Sequence, residues 1–146
     1  MTYSLPARQV ANGVVDSFIH VVEQYLTYPV NAKVQDAFSE GLMRVIHEEG
    51  LKVLDNPNDY DIRANLMWAA TNALNVWIGQ GVPQDWSSHH MGYALTAQFG
   101  LDHAQTLAIL LPGVMTYMFK EKQVKLARMG EVVFGITDGT EEERAR

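Results

Sequence analysis

Four side chains of this sequence have the types and spacing that could bind a metal ion. They are Asp16, His20, His89 and His103. Asp16 and His20 are four positions apart, so on a helix their side chains share one face. His103 follows His89 by fourteen positions, beyond a turn predicted at Gly100. Three imidazoles and a carboxylate suit a borderline divalent ion such as iron(II) or zinc(II), and imidazole also accepts copper and nickel. We therefore predict a metal site that leaves room for a substrate oxygen.

The same residues also have an ordinary structural interpretation. An Asp-x-x-x-His pair on a helix is common without a metal, and a histidine after Asp102 is ordinary at a helix start. The two remaining histidines are predicted to lie outside the site. His47 stands beside two glutamates and is expected at the solvated surface. His90 points about 100° away from His89 on a helix, so we assign it to packing or to the surroundings of the ligands.

The elements that position these residues are predicted to be helices. Ser4 can cap a first helix with Pro6 in its first turn. Asn31 can cap the second helix, and Asp102 can cap the fifth. The predicted helices cover about residues 4–27, 31–50, 59–78, 83–98, 102–112 and 121–134. No segment alternates with the two-residue period of a useful strand.

The predicted fold is therefore all-α and resembles a helical bundle, with residues 1–146 forming a single domain. Apolar residues recur at helical spacing along the first helix and should face the core. They are Val10, Val14, Phe18, Val21 and Tyr25. Pro112 is expected to kink or end the fifth helix, because proline removes a backbone donor and clashes with the preceding turn.

Composition and charge exclude several classes of function. The net charge is −6, which disfavours nucleic acid and anionic membranes as partners because both attract a basic face. The chain has no cysteine, so disulfides, thiolate zinc sites and iron–sulfur clusters are excluded. No apolar run reaches the length of a membrane span, about 18 residues. The default expectation is a cytoplasmic protein without a membrane partner.

Both ends of the chain suggest a piece of a longer protein. Thr140 and Glu143 form a capping-box pattern that announces a helix, yet the chain stops at Arg146. A domain cut from a larger enzyme would expose apolar surface. We expect such surface on the outward faces of the first and fourth helices, at Val15, Ile19 and Tyr93, and we expect a homodimer with two-fold symmetry.

Three stretches of the sequence resemble the iron-containing (group III) alcohol dehydrogenases, in particular their NADPH-dependent aldehyde reductase and butanol dehydrogenase branch. These are residues 5–20 (LPARQVANGVVDSFIH), residues 81–86 (GVPQDW) with His89, and residues 100–112 (GLDHAQTLAILLP). The resemblance covers essentially the whole chain. It implies the C-terminal helical half of a dehydroquinate synthase-like fold. It also implies an iron(II) or zinc(II) site formed by Asp16, His20, His89 and His103.

Two features depart from the family pattern. The family usually has a further histidine one helical turn after the third ligand, where this chain has Tyr93. We assign Tyr93 to catalysis in place of this histidine, although a phenol titrates near pH 10 in free peptides and relays protons poorly at neutral pH. The family's N-terminal dinucleotide-binding domain and its last helices are also absent, and Gly79-Gln80-Gly81 lacks a third glycine at Gln84.

The resemblance implies an NAD(P)-dependent enzyme that acts on a small alcohol or aldehyde. The ion would act as a Lewis acid, and the absent N-terminal domain would supply the nicotinamide. The isolated chain is therefore expected to be inactive. Two alternatives remain. One is a metal-dependent helical phosphohydrolase, although Asp102-His103 reverses the His-Asp doublet that such an enzyme would want. The other is a non-catalytic helical interaction module with incidental histidines.

Overall fold

Helices supply all the regular secondary structure of residues 2–146, which the computed structural model describes. A short 3-10 turn at Thr2–Ser4 precedes seven α-helices. The helices are α1 (Ala7–Tyr25), α2 (Lys33–Lys52), α3 (Tyr60–Ala73), α4 (Ser87–Phe99), α5 (His103–Tyr117), α6 (Phe119–Phe134) and α7 (Glu141–Ala145). No strand occurs between residues 2 and 146, so the all-α prediction is confirmed.

Helix α1 is the central element because it packs against α2, α3 and α5. The core side chains of its second half include Val21, Val22 and Tyr25, each at most 1% exposed. They pack with Met43 and Ile46 of α2. Burial of each such aliphatic side chain contributes roughly 1.5–3 kcal/mol. The predicted apolar stripe therefore faces the core, and the opposite side of α1 is free to carry polar groups.

Three helix starts differ from the prediction. Ser4 lies in the 3-10 turn and does not cap α1, whose N-cap is Pro6. Asn31 is not the cap of α2 either, because its φ of 56° places it in the left-handed region that asparagine tolerates better than most residues. Helix α4 begins at Ser87 rather than near Pro83, since the side chain of Asp85 accepts from the Ser87 backbone N–H.

The connection between α3 and α4 is longer than predicted. Helix α3 ends at Ala73, and the Asn75 side chain accepts from the Trp77 N–H at 3.1 Å. Such a local asparagine bond offers the backbone an alternative to the helix. Val76 follows with a φ of 65°, which a helix cannot contain. Residues 74–86 therefore form a connection that leads to α4, anchored in the core by Ile78.

The last helices show one expected start and one helix that continues past a proline, so of the two outcomes expected at Pro112 the ended helix is wrong. Pro112 does not end α5, which continues to Tyr117. The capping box at Thr140 and Glu143 is present, and it starts the short helix α7. Helix α7 packs on α6 at Gly130, where an added Cβ would lie 2.4 Å from the Arg144 backbone oxygen. Only a glycine allows α7 to approach this closely.

The exposure of several residues corrects the sequence interpretation. Ile19 was expected on an outward apolar face but is only 3% exposed. His47 is half-buried rather than solvated, because its ring packs against Phe134 with centroids 5.1 Å apart. His90 is exposed and does not pack in the core. None of the helices between residues 2 and 146 combines the length and apolarity that crossing a membrane requires.

Candidate metal centre

Three helices bring the four predicted ligands to one point. Asp16 and His20 lie one turn apart on α1, His89 lies in the first turn of α4, and His103 begins α5. The Asp16 Oδ1 atom lies 3.3 Å from His20 Nδ1, 3.8 Å from His89 Nε2 and 3.5 Å from His103 Nε2. His20 Nδ1 and His89 Nε2 are 3.2 Å apart. One carboxylate oxygen is thus surrounded by three imidazole nitrogens.

The chemistry of this oxygen fits a bound cation. Asp16 Oδ1 is buried and has no hydrogen-bond partner. Burying an anionic oxygen is costly unless a donor or a cation compensates it. The ligand atoms of Asp16, His89 and His103 all lie within 4.8 Å of one another, close enough to share an ion. A divalent ion would therefore satisfy the orphaned oxygen, and the residues fit the group that the sequence predicts.

The Nδ1 atom of His20 also contacts the backbone of α1. Its Nδ1 lies 2.9 Å from the backbone oxygen of Asp16. An Nδ1–H can donate to that oxygen, whereas ligation through Nδ1 needs the deprotonated nitrogen. Protons and a metal ion would thus compete at this atom.

Mutual attraction governs the charges in the cluster. Burial alone would raise the pKa of Asp16, but its contact with His20 and the nearby imidazoles of His103 and His89 outweigh burial and lower it. Burial alone would lower the pKa of His20, but the contact with Asp16 outweighs it and raises that pKa. The fold therefore favours the charged form of both residues, as expected for a site that stabilises positive charge beside a carboxylate.

Helix α1 also fixes the start of α5 and hence His103. Asp102 Oδ2 accepts from Arg8 Nε at 2.7 Å and from Asn12 Nδ2 at 2.8 Å. Asp102 is the N-cap of α5, and its backbone N–H donates to the Gln105 side chain in a capping box. The predicted cap is confirmed, and the contacts with α1 hold the helix that carries His103.

Glu23 supports His89 and was missed by the sequence interpretation. Glu23 and His89 are only 4% and 5% exposed. Glu23 Oε1 accepts from the Ser88 N–H at 2.6 Å, and Glu23 Oε2 is hydrogen-bonded to His89 Nδ1. The sequence does contain a signal for this role. Position 23 lies on the face of α1 that carries Asp16 and His20, and a glutamate at this position interrupts an apolar run.

A close approach of α4 and α5 sets the spacing of His89 and His103. Gly92 and Thr106 each follow a candidate ligand by three positions and face each other. A Cβ added at Gly92 would lie 2.6 Å from Thr106 Oγ1. Thr106 is fully buried and donates to the His103 backbone oxygen at 2.7 Å. The absence of a side chain at position 92 therefore lets the two helices meet.

Aromatic rings surround the cluster. The Trp86 ring packs edge-on against His20 and His89, with centroids 5.6 Å and 5.2 Å away. Tyr93 stacks on His103 with centroids 6.0 Å apart and an angle of 14° between the rings. Tyr93 is 59% exposed and so lies at the rim of the cluster. Its assignment to catalysis stays a prediction.

The family of the chain follows from its sequence. Residues 10–146 match the profile of the family described as "Fe-containing alcohol dehydrogenase family, C-terminal". The chain belongs to the iron-containing alcohol dehydrogenase family. The resemblance carried by residues 5–20, 81–89 and 100–112 is therefore confirmed.

Individual members of this family resemble the chain over most of its length. The NADPH-dependent aldehyde reductase YqhD of Escherichia coli is 57% identical over 143 residues, which are 98% of this chain and 37% of the relative. NADH-dependent butanol dehydrogenase B of Clostridium acetobutylicum is 38% identical over 92% of this chain and 35% of its own length.

The fold comparison agrees with the sequence comparison. The substrate- and cofactor-free structure of the E. coli aldehyde reductase YqhD superimposes with a TM-score of 0.96, at 56% identity over 99% of this chain and 38% of that one. The chain thus spans between a third and two fifths of the length of these relatives. Its fold is that of their C-terminal helical part.

Proposed function

We propose that this chain is the metal-binding part of an NAD(P)-dependent alcohol dehydrogenase or aldehyde reductase. One observation carries the proposal: the buried, unpartnered Asp16 Oδ1 lies among three imidazoles in a chain of this family. Asp16, His20, His89 and His103 are the proposed ligands. The ion would be iron(II) or zinc(II), since both accept a mixed imidazole and carboxylate set. The substrate would be a small alcohol or aldehyde.

The side chains have separable tasks in this proposal. A bound divalent ion would supply Lewis-acid polarisation of an alcohol or carbonyl oxygen. Asp16 would contribute the negative charge that offsets part of the ion's charge. The three imidazoles must have an unprotonated ring nitrogen to bind the ion. The Trp86 ring packs edge-on against two of the histidines and helps to hold their rings in place. Tyr93 Oη is the hydroxyl donor that the chain offers at the rim.

The test of this proposal is metal uptake by the purified chain. We expect about one divalent ion per chain, measured by elemental analysis after exposure to iron(II) or zinc(II). His89→Ala and His103→Ala should each lose most of this metal. His47→Ala is the matched control, because its ring packs against Phe134 away from the cluster. Equal metal content in all four proteins would refute the proposal.

The two alternative functions are less well supported. A phosphohydrolase would use Asp102 beside His103 as a ligand, but Asp102 Oδ2 is occupied by Arg8 and Asn12. An interaction module gives no reason for a buried carboxylate oxygen without a hydrogen bond to lie among three histidines. Family membership also favours the dehydrogenase.

A further inference from the structure

We propose that Glu23 is a positioning residue that holds His89 in one tautomer and thereby directs its Nε2 lone pair at the metal. The claim that Nε2 points at a metal rests on the proposed function. The claim that Glu23 selects the tautomer of His89 rests only on the contacts of Glu23. Glu23 lies outside the four proposed ligands, and its two carboxylate oxygens serve two different donors of α4.

The first step is the direction of each hydrogen bond. A carboxylate only accepts, so the His89 nitrogen that faces Glu23 Oε2 must carry the hydrogen. That nitrogen is Nδ1. In the neutral ring the other nitrogen, Nε2, then carries a lone pair; it lies 3.2 Å from His20 Nδ1 and 3.8 Å from Asp16 Oδ1. Glu23 thus selects the tautomer of His89 that can bind an ion at the centre of the cluster.

The second step is the rigidity of this arrangement. Glu23 Oε1 accepts from the Ser88 backbone N–H at 2.6 Å, at the start of α4. The backbone oxygen of Glu23 accepts from the Asp85 N–H at 3.0 Å. The carboxylate cannot turn away from His89 without abandoning the Ser88 N–H. One buried side chain of α1 therefore fixes both the helix that carries His89 and the ring itself.

The third step is that an isosteric amide cannot replace the carboxylate. In Glu23→Gln the amide has one accepting oxygen and one donating NH2 group. If its oxygen keeps the Ser88 N–H, the NH2 group faces His89 Nδ1 and forces the ring hydrogen to Nε2, where it blocks ligation. If the amide instead turns over, its NH2 group faces the Ser88 N–H. Two buried donors then lack an acceptor, which destabilises the fold.

The experiment measures the tautomer and the metal affinity separately. Nitrogen NMR of the wild-type chain without metal should show His89 with hydrogen on Nδ1, and Glu23→Gln should change that pattern. Zinc(II) affinity, measured by competition with a chromogenic chelator, should fall about 10- to 100-fold in Glu23→Gln. Glu40→Gln is the matched control, because Glu40 accepts from Tyr25 and Arg128 away from the cluster. It should leave both readouts unchanged.

The outcomes separate this inference from the proposed function. Wild-type His89 with hydrogen on Nε2 would overturn the inference, and this measurement does not depend on whether Glu23→Gln folds. An unchanged tautomer and a zinc affinity within twofold of wild type in a folded Glu23→Gln would also overturn it. A chain that binds neither zinc(II) nor iron(II), but whose His89 tautomer depends on Glu23, would refute the proposed function and leave only the tautomer part of this inference supported.

Discussion

At the scale of single residues, the interior of the fold holds charged atoms of Asp16, Glu23 and Lys122, each beside an ionisable partner. Asp16 Oδ1 lies among three imidazoles, and Glu23 is hydrogen-bonded to His89. Lys122 is only 7% exposed and donates to Asp85 Oδ2 at 2.7 Å and to the Leu26 backbone oxygen. Removing one member of such a group leaves the other charge buried and uncompensated, which is far more destabilising than losing a surface ion pair.

The pair of Asp85 and Lys122 gives a prediction about pH. Burial raises the pKa of Asp85, but hydrogen bonds from Lys122 and Ser87 outweigh it, so the pKa lies below the ordinary 3.8. A carboxyl group with a lowered folded pKa stabilises the fold above its unfolded pKa, and this contribution is lost as pH falls through the folded value. Asp85→Asn should therefore lower the unfolding temperature at about pH 6, and this gap should narrow below about pH 4.

Calorimetry at the two pH values would check this prediction. Asp55→Asn is the control, because Asp55 is an exposed carboxylate in the loop before α3. It should have little effect on the unfolding temperature at either pH. A deficit in Asp85→Asn that is equally large under acidic and neutral conditions would contradict the assigned role of the carboxylate charge.

At the scale of elements, the crossing of α4 and α5 is the sensitive point. Gly92→Ala would place a methyl group 2.6 Å from Thr106 Oγ1, so the two helices must move apart. Overpacking of this kind costs about 1–3 kcal/mol of unfolding free energy. It should also weaken metal binding, because His89 and His103 lie on the helices that separate. Urea unfolding and the chelator competition would measure the two effects.

Two further variants make the Gly92 prediction specific. Thr106→Ala removes the Oγ1 that the new methyl group meets, so the double variant should recover part of the lost stability and metal affinity. Gly41→Ala is the matched control in α2, where an added Cβ meets nothing within 4 Å. It should stabilise the chain by roughly 0.5–1 kcal/mol, since alanine is favoured over glycine inside a helix. Failure of the double variant to recover would mean that the contact is not the cause.

Elements with a local chemical signal could be predicted from the sequence. The cap at Asp102, the capping box at Thr140 and the apolar stripe of α1 depend on residues within a few positions of one another. The end of α3 could not be predicted, because the local hydrogen bond of the Asn75 side chain outweighs the helix propensity of the residues around it. The role of Glu23 was missed because its partner His89 is 66 positions away, and only the packing of α1 against its neighbours reveals such a pair.

At the scale of the whole molecule, apolar surface remains on the cluster side of the fold. Tyr93 is 59% exposed and Val15 is half-buried, whereas Ile19 no longer belongs to the candidate surface. We predict that the chain self-associates as a two-fold dimer through this surface. Light scattering should give twice the chain mass, and Tyr93→Glu should lower it. Tyr3→Glu alters an exposed tyrosine near the N-terminus and should not. A monomer mass for the wild type at high concentration would count against the dimer.

We also predict that metal binding and turnover separate in this chain. Hydride transfer depends on holding the donor and acceptor carbons in position, which can supply roughly 7–11 kcal/mol of the barrier. The chain spans 37% of the E. coli aldehyde reductase, and we propose that the remainder of such an enzyme binds the nicotinamide. The chain loaded with zinc(II) or iron(II) should therefore not oxidise NADPH with a short aldehyde, followed by absorbance. Turnover that disappears in His103→Ala would show that this expectation is wrong.

The hydrogen bonds of Lys122 bear on the order in which the parts of this fold form during synthesis and folding. Lys122 joins the end of α1 to the segment before α4 across sequence separations of 96 and 37 residues. Synthesis proceeds from the N-terminus, so Asp16, His20 and Glu23 leave the ribosome long before their partners. Contacts this distant in sequence also form late in folding, because closing their loops costs entropy first. We therefore expect the metal site to be completed near the end of folding rather than to serve as its nucleus.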